Sequence, residues 1–148
     1  MVGIPGSGKS TIARGRFPEA LRISLDDLRL MFSGQTFERR IEPAVAVAAD
    51  ALKESLAVFA ASKRVDLLFD STNVSRARRA NLISTARHHG LSPVAIYLPV
   101  PLATALARNK LRPFPVPPAV VARFGRLLEP PTLDEGFDDI IVVTEEPN

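Results

Sequence analysis

The sequence contains no cysteine, which excludes disulfide bonds and thiolate metal sites. This absence fits the reducing cytoplasm, where we expect the chain to reside. The longest apolar runs are far too short for a bilayer and no signal peptide is recognisable, so no membrane partner is expected. With 148 residues, 46% hydrophobic and 24% charged, the sequence predicts a single globular domain spanning residues 1–148.

Negative charge is missing from the middle of the chain. No Asp or Glu lies between Arg76 and Leu128, although the net charge of the whole chain is only +3. The cations of this stretch are Arg76, Arg78, Arg79, Arg87, Arg108, Lys110, Arg112, Arg123 and Arg126. Acidic residues resume at Glu129. A stretch of one sign favours a phosphate-rich ligand, and the alternative is a set of ordinary solvated helix faces.

A glycine-rich segment opens the chain with the P-loop pattern Gly-x-x-x-x-Gly-Lys-Ser. Glycines let backbone N–H groups approach phosphate oxygens, and the following helix points its N-terminus at the same anion. We expect Lys9 to act catalytically on the β- and γ-phosphates of ATP or another NTP, and Ser10 to ligate Mg²⁺. The predicted nucleotide-binding residues of this loop are Gly3, Pro5, Gly6, Ser7, Gly8, Lys9, Ser10 and Thr11.

Predicted strands and helices alternate after this loop. Residues 65–70 are typical of a buried strand, residues 43–62 of a helix, and Ser75 is expected to cap a further helix that Gly90 ends. The alternation predicts an α/β fold of the P-loop kinase type, a three-layer sandwich with a mainly parallel sheet. Only Met1 and Val2 precede the loop, where a buried strand is usual. We therefore expect a truncated first strand, or else another segment in its place.

Two acidic segments follow predicted strands, at the carboxyl edge where α/β sheets bind ligands. Asp26 can act as the general base that accepts the proton of an attacking alcohol. Arg29 lies one helical turn later, so it would place an acceptor-binding cation beside Asp26. Asp70 could hold a magnesium-bound water or orient an arginine. The alternatives are a helix cap for Asp26 and a turn residue for Asp70.

Cations also end the helix predicted to begin at Pro101. Arg108, Lys110 and Arg112 lead from this helix into a proline-rich loop. Arginines on a mobile lid can close over a transferring phosphoryl group. The alternative is that these cations only complement the C-terminus of the helix.

Together these segments resemble the polynucleotide 5′-kinase family, the phage and mammalian end-healing enzymes and their bacterial relatives. The P-loop is common to many kinases, whereas the other matching segments are more specific to this family. The matches cover almost the whole chain: residues 3–11, 26–29, 70–73, Arg78, Arg79, Arg108, Asn109, Arg112 and 124–137.

The resemblance implies transfer of the γ-phosphate of ATP, with Mg²⁺, to the 5′-hydroxyl end of DNA or RNA. It implies that Asp26 is the base, that Arg29 holds the phosphate next to the reacting end, and that Lys9 and Arg112 stabilise the γ-phosphoryl group. By the same resemblance Asp70, Thr72 and Asn73 bind substrate and Arg108 binds nucleotide. It also allows the domain to be one part of a longer repair protein.

Two other functions stay open from the sequence alone. A P-loop kinase for a small-molecule alcohol would use the same base and lid. An NTP-binding or NTP-hydrolysing module would have no phosphoryl acceptor, and Asp26 counts against it because such modules position water rather than an alcohol.

Overall fold

Helices and short parallel strands alternate along the chain, as predicted. The computed structural model describes residues 1–35 and 38–144. The elements are α1 (Lys9–Arg16), β1 (Leu21–Ser24), α2 (Leu25–Ser33), α3 (Glu42–Lys63), β2 (Leu67–Asp70), α4 (Arg76–His88), β3 (Val94–Tyr97), α5 (Leu102–Lys110), α6 (Pro118–Leu127) and β4 (Asp139–Val142). A 3₁₀ turn, Leu133–Glu135, precedes β4. Within the described ranges, every helix is too short or too polar to cross a membrane.

The four strands form two parallel pairs, β1 with β2 and β3 with β4. The first residues of the chain lie between the pairs. Met1 N donates to Phe69 O of β2 over 2.9 Å, and Val2 N donates to Ile96 O of β3 over 2.7 Å. Met1 and Val2 therefore occupy the central position expected for the strand that leads into the P-loop. Val2 forms a single parallel bridge there, with Tyr97.

Helices cover both faces of this arrangement. Successive strand residues point to opposite faces, and β2 shows the consequence. Leu68 packs in a cluster with Ile12 of α1, whereas Phe69 packs against a cluster that contains Leu28 of α2 and Val45 of α3. The predicted α/β fold of the P-loop kinase type is therefore confirmed.

The helix ends follow the capping signals of the sequence. Ser75 Oγ accepts from Arg78 N over 3.4 Å at the start of α4, and Gly90 adopts a left-handed φ of 71° just beyond its end. The strand predicted from Val65 begins two residues later, because Val65 N donates to Ala60 O and closes the last turn of α3.

Candidate active site

The P-loop connects Val2 to α1 in a conformation that requires glycine. Gly6 and Gly8 have left-handed φ values of 84° and 89°. A Cβ on Gly3 would lie 2.7 Å from Ser7 Oγ, and one on Gly6 would lie 2.2 Å from Ala105 O of α5. The loop is thus packed against α5 and leaves room only for backbone at these positions.

Lys9, the first residue of α1, turns its amine back into the loop. Its Nζ donates to Ile4 O over 2.8 Å and to Ser7 Oγ over 3.4 Å. Burial lowers the pKa of the Lys9 amine to about 8, and the charges of Asp70 and Asp26 only partly oppose this shift. The amine is therefore placed among the loop groups that would surround a phosphate.

The N-terminus of α1 fits an anion and a magnesium ion. Gly8 caps the helix without any side-chain hydrogen bond, and the first turn contains no acidic residue. The positive end of the helix dipole therefore favours phosphate at this point. Among the described residues no group of three or more His, Asp or Glu could hold a metal ion by itself. Mg²⁺ often relies on substrate phosphates and few protein ligands; Ser10 lies in the first turn of α1, and its role as a magnesium ligand stays a prediction.

Asp26 lies in the first turn of α2, which Ser24 caps by accepting from Asp27 N over 3.2 Å. Arg29 Nη1 donates to Asp26 Oδ1 over 2.9 Å, and Arg112 Nη2 donates to Asp26 Oδ2 over 3.0 Å. The predicted base, acceptor cation and lid arginine are therefore in contact. Asp26 remains 42% exposed, so its carboxylate can be approached from solvent.

Arg29 has a second partner that sequence reasoning missed. Glu42, the first residue of α3, accepts from Arg29 Nε over 2.8 Å and from Arg29 Nη2 over 3.0 Å. Burial alone would lower the pKa of the guanidinium, but Glu42 and then Asp26 outweigh it and raise that pKa. Glu42 lies 13 residues after Arg29 and in a different helix, so helical periodicity does not predict their contact.

Asp70 ends β2 as predicted and its side chain is almost fully buried. Arg22 Nη1 donates to Asp70 Oδ2 over 2.7 Å, and Arg22 Nη2 also bonds Asp27. Arg22 was not predicted. Strand pairing explains the contact, because the register places Ser24 opposite Asp70 and Arg22 two residues earlier on the same strand. Asp70 thus forms a buried ion pair with Arg22, and its predicted roles in holding a magnesium-bound water, orienting an arginine or binding substrate stay predictions.

Thr72 and Asn73 both bond the first residues of the chain, Thr72 through its backbone oxygen and Asn73 through its side chain. Thr72 O accepts from Gly3 N over 3.0 Å. Asn73 is buried, and its Nδ2 donates to Met1 O over 2.9 Å. These contacts hold the residues that lead into the P-loop. Substrate binding by Thr72 and Asn73 stays a prediction.

Helix α5 places the predicted lid beside the loop. Arg108 Nη1 lies 3.9 Å from the position a Cβ would take on Gly8. Asn109 is buried and exchanges two hydrogen bonds with Val116, at 2.7 and 3.0 Å. Asn109 therefore anchors the proline-rich loop, and Arg108 and Arg112 extend from either side of that anchor.

The family of the chain follows from a comparison with family models. The model described as "AAA domain" matches residues 1–131. The chain belongs to the AAA domain family. A search of curated proteins found no match to its sequence.

The fold of this AAA domain matches that of a solved kinase. A gluconokinase from Sinorhizobium meliloti 1021 superposes with a TM-score of 0.59 at 22% sequence identity, covering 99% of this chain and 81% of that chain. At this identity the match supports the P-loop kinase-like fold. The finer resemblance to polynucleotide kinases stays a prediction.

Three of the four arginines of α4 in the AAA domain pair with acids of the C-terminal segment, which offsets part of the positive charge of the acid-free stretch. On α4, Arg76 Nη2 bonds Asp134, Arg79 bonds both carboxylate oxygens of Glu135 at 2.7 Å, and Arg87 Nη2 reaches Asp138 over 2.5 Å. The side chain of Arg79 is only 1% exposed. The arginines of α4 thus join the C-terminal segment to the fold, which weakens the charge argument for a phosphate-rich ligand.

Proposed function

We propose that this AAA domain transfers the γ-phosphoryl group of an NTP to a hydroxyl of a small anionic alcohol. The observation that carries the proposal is the position of Asp26, held between Arg29 at 2.9 Å and Arg112 at 3.0 Å. The charges of Asp26 and Arg112 both influence the pKa of Lys9, so the base and the phosphate-binding amine belong to one cluster.

Each group has a chemical task in this proposal. Bound NTP would supply the phosphoryl group, and Ser10 would help to hold Mg²⁺, which would supply further positive charge. Lys9, Arg108 and Arg112 stabilise negative charge on the phosphates. Asp26 accepts the proton of the acceptor hydroxyl as the hydroxyl oxygen bonds to the γ-phosphorus, and the bond from that phosphorus to the departing NDP breaks. Arg29 binds an anionic group of the acceptor near that hydroxyl.

Two findings favour a small acceptor. Three of the four arginines of α4, Arg76, Arg79 and Arg87, are paired with acids of the C-terminal segment. The similar solved structure is, by its title, a gluconokinase, which makes gluconate, a sugar acid, a reasonable first acceptor to test. A carboxylate or phosphate on a small molecule would satisfy Arg29 without any extended basic surface.

A polynucleotide 5′-hydroxyl end is the second candidate. The contact between Asp26 and Arg29 favours it, because a base next to an arginine suits a hydroxyl with a neighbouring phosphate. The order of segments that resembles the polynucleotide 5′-kinases supports it as well. On this reading short oligonucleotides should be better acceptors than nucleosides, and their binding should fall steeply with added salt.

The deciding experiment follows label from γ-labelled ATP into gluconate, other sugar acids, nucleosides, a 5′-hydroxyl oligonucleotide and water. Transfer to a sugar acid but not to the oligonucleotide would support the small-molecule proposal. Transfer to the oligonucleotide alone would support the second candidate. Label released only as inorganic phosphate would contradict both and indicate an NTPase without an acceptor.

A further inference from the structure

Glu42 and Arg29 form a two-point ion pair between α3 and α2. The distances are 2.8 Å from Nε to Oε1 and 3.0 Å from Nη2 to Oε2, the parallel geometry that makes arginine–carboxylate pairs strong and directional. The side chains are 19% and 29% exposed, so solvent screens the pair only partly. This contact fixes the plane of the guanidinium as well as its position.

The helices that carry the pair are fixed to each other by apolar contacts. Leu28 of α2 and Val45 and Ala49 of α3 form one buried cluster, and Phe69 of β2 packs against it. Leu28 precedes Arg29, and Val45 lies three residues after Glu42. The carboxylate is thus held on the same packed unit as the arginine, rather than on a mobile loop.

A count of donors shows what the pair leaves available. A guanidinium has five N–H donors. Glu42 takes Nε and one Nη2 hydrogen, and Asp26 takes one Nη1 hydrogen. One hydrogen on each terminal nitrogen remains. Those two donors can bind a carboxylate or phosphate of the acceptor beside the Asp26 carboxylate.

Removal of the Glu42 charge would change how the donors of Arg29 are shared among its partners. The Nε and Nη2 edge would lose its partner, and the nearest carboxylate in the cluster is Asp26. Arg29 could then rotate and pair with Asp26 through two bonds. The guanidinium would no longer present its free donors to the acceptor.

We propose that Glu42 is a positioning residue that holds Arg29 in the orientation needed to bind the anionic group of the acceptor. The inference rests on the proposed function and assigns a role to a residue outside the P-loop, the base and the lid. In this proposal Glu42 acts through Arg29, to which both of its carboxylate oxygens bond.

Glu42→Gln keeps the shape of the side chain and removes its charge. Steady-state kinetics with gluconate and with a 5′-hydroxyl oligonucleotide should show a rise of about tenfold or more in the KM of the accepted substrate, equivalent to about 1.4 kcal/mol. The KM for ATP should stay within about twofold of the wild-type value. A general loss of structure would instead raise the KM values for ATP and acceptor together. Glu42→Asp should recover part of the effect.

Glu38→Gln is the matched control. Glu38 lies four residues earlier and pairs with the exposed Arg40 over 2.9 Å, so its change should leave both KM values as in the wild type. In an Arg29→Ala background, Glu42→Gln should have no further effect on acceptor KM, because the residue it positions is absent.

An unchanged acceptor KM in Glu42→Gln, or an additive effect in the double variant, would overturn the inference while the proposed function stands. Equal increases in the KM values for ATP and acceptor would also overturn it, because they would indicate a general structural role. If the wild-type chain transfers phosphate to no acceptor, the proposed function fails, and the inference fails with it.

Discussion

Arg112 Nη2 donates to Asp26 Oδ2 across 3.0 Å, although 86 residues separate the two in sequence. The contact joins the end of α5 to the first turn of α2. Arg29 bonds the other oxygen of the same carboxylate. Each oxygen of Asp26 therefore has its own arginine, which fixes the orientation of the carboxylate and keeps two cations near the place where a phosphoryl group would be transferred.

The first prediction concerns Asp26 as the general base. Asp26→Asn should lower kcat by roughly 10²–10⁴, the usual effect of losing a general base, because the amide cannot accept the hydroxyl proton. The Kd for nucleotide should change little, since the P-loop does not depend on this carboxylate for its conformation. Label transfer to the accepted alcohol and a nucleotide titration measure the two quantities.

The neighbouring carboxylate is the control for this prediction. Asp27 bonds Arg22 rather than Arg29 or Arg112, and its N–H completes the cap of α2. Asp27→Asn should therefore retain most of the activity. Loss of transfer in Asp27→Asn together with wild-type transfer in Asp26→Asn would show that the base assignment is wrong by one residue.

The second prediction concerns the pH dependence of nucleotide binding. The pKa of Lys9 is about 8 because the amine is buried. Phosphate would favour the charged amine and raise that pKa, so binding should take up a proton above pH 8. The affinity for ATP should therefore be constant below about pH 8 and fall as pH rises above it.

Calorimetry in two buffers of different ionisation enthalpy would measure this proton uptake directly. Lys9→Arg is the matched variant, because a guanidinium stays charged over the whole range. Any affinity that it retains should be independent of pH between about pH 7 and 9.5. A wild-type affinity that does not change across pH 8 would contradict the placement of Lys9 in the phosphate site.

The third prediction concerns the stability supplied by Arg79. Its side chain is 1% exposed and that of Glu135 is 4% exposed, and the two form a two-point pair. Arg79 also donates to Glu129 O over 2.9 Å. Arg79→Ala should lower the free energy of unfolding by about 3–5 kcal/mol, because it removes the two-point partner of a buried carboxylate and leaves only Arg76, at 3.9 Å, as a nearby cation.

Arg87→Ala removes a similar pair at the surface, with half-exposed partners, and should cost at most about 1 kcal/mol. Chemical denaturation of both variants gives the comparison. Equal small losses would contradict the structural role of Arg79. A selective loss of acceptor binding in a fully stable Arg79→Ala variant would restore the interpretation of this arginine as part of a ligand-binding surface.

Local chemistry explains which features the sequence could predict. The glycines of the P-loop, the Ser75 cap and the alternation of strands and helices each depend on residues a few positions apart. The partners of Arg22 and Arg29 depend on strand register and on the packing of α2 against α3, which no local pattern contains. Part of the charge that is segregated in the sequence is paired in the fold, because Asp134, Glu135 and Asp138 contact arginines of α4.

The same limit applies to the acceptor. The motifs predict a phosphate loop, a base and a lid, since these need particular residue types at particular spacings. In our proposal the anionic group of the acceptor binds the remaining donors of Arg29, and the orientation of those donors depends on Glu42. Only the folded chain shows that Glu42 is a partner of Arg29.

The fourth prediction concerns the contact between the P-loop and α5. Gly6 has a φ of 84°, and a Cβ there would lie 2.2 Å from Ala105 O. Gly6→Ala must therefore strain the loop backbone and push α5 away. Since α5 carries Arg108, the variant should lose both stability and nucleotide affinity.

Gly15→Ala tests whether this effect belongs to the site or to glycine replacement in general. Gly15 lies in α1 with nothing within 4 Å of its Cβ position. Alanine should stabilise that helix by roughly 0.5–1 kcal/mol, because glycine loses more backbone freedom on folding. The two changes add the same single methyl group. We expect Gly15→Ala to raise Tm and Gly6→Ala to lower it, with ATP affinity lost only in Gly6→Ala. This result would attribute the lost affinity to the contact with Ala105. A Gly6→Ala variant that melts and binds ATP like the wild type would mean that α5 is not packed against the loop, and the position of Arg108 beside Gly8 would then have to be rejected as well.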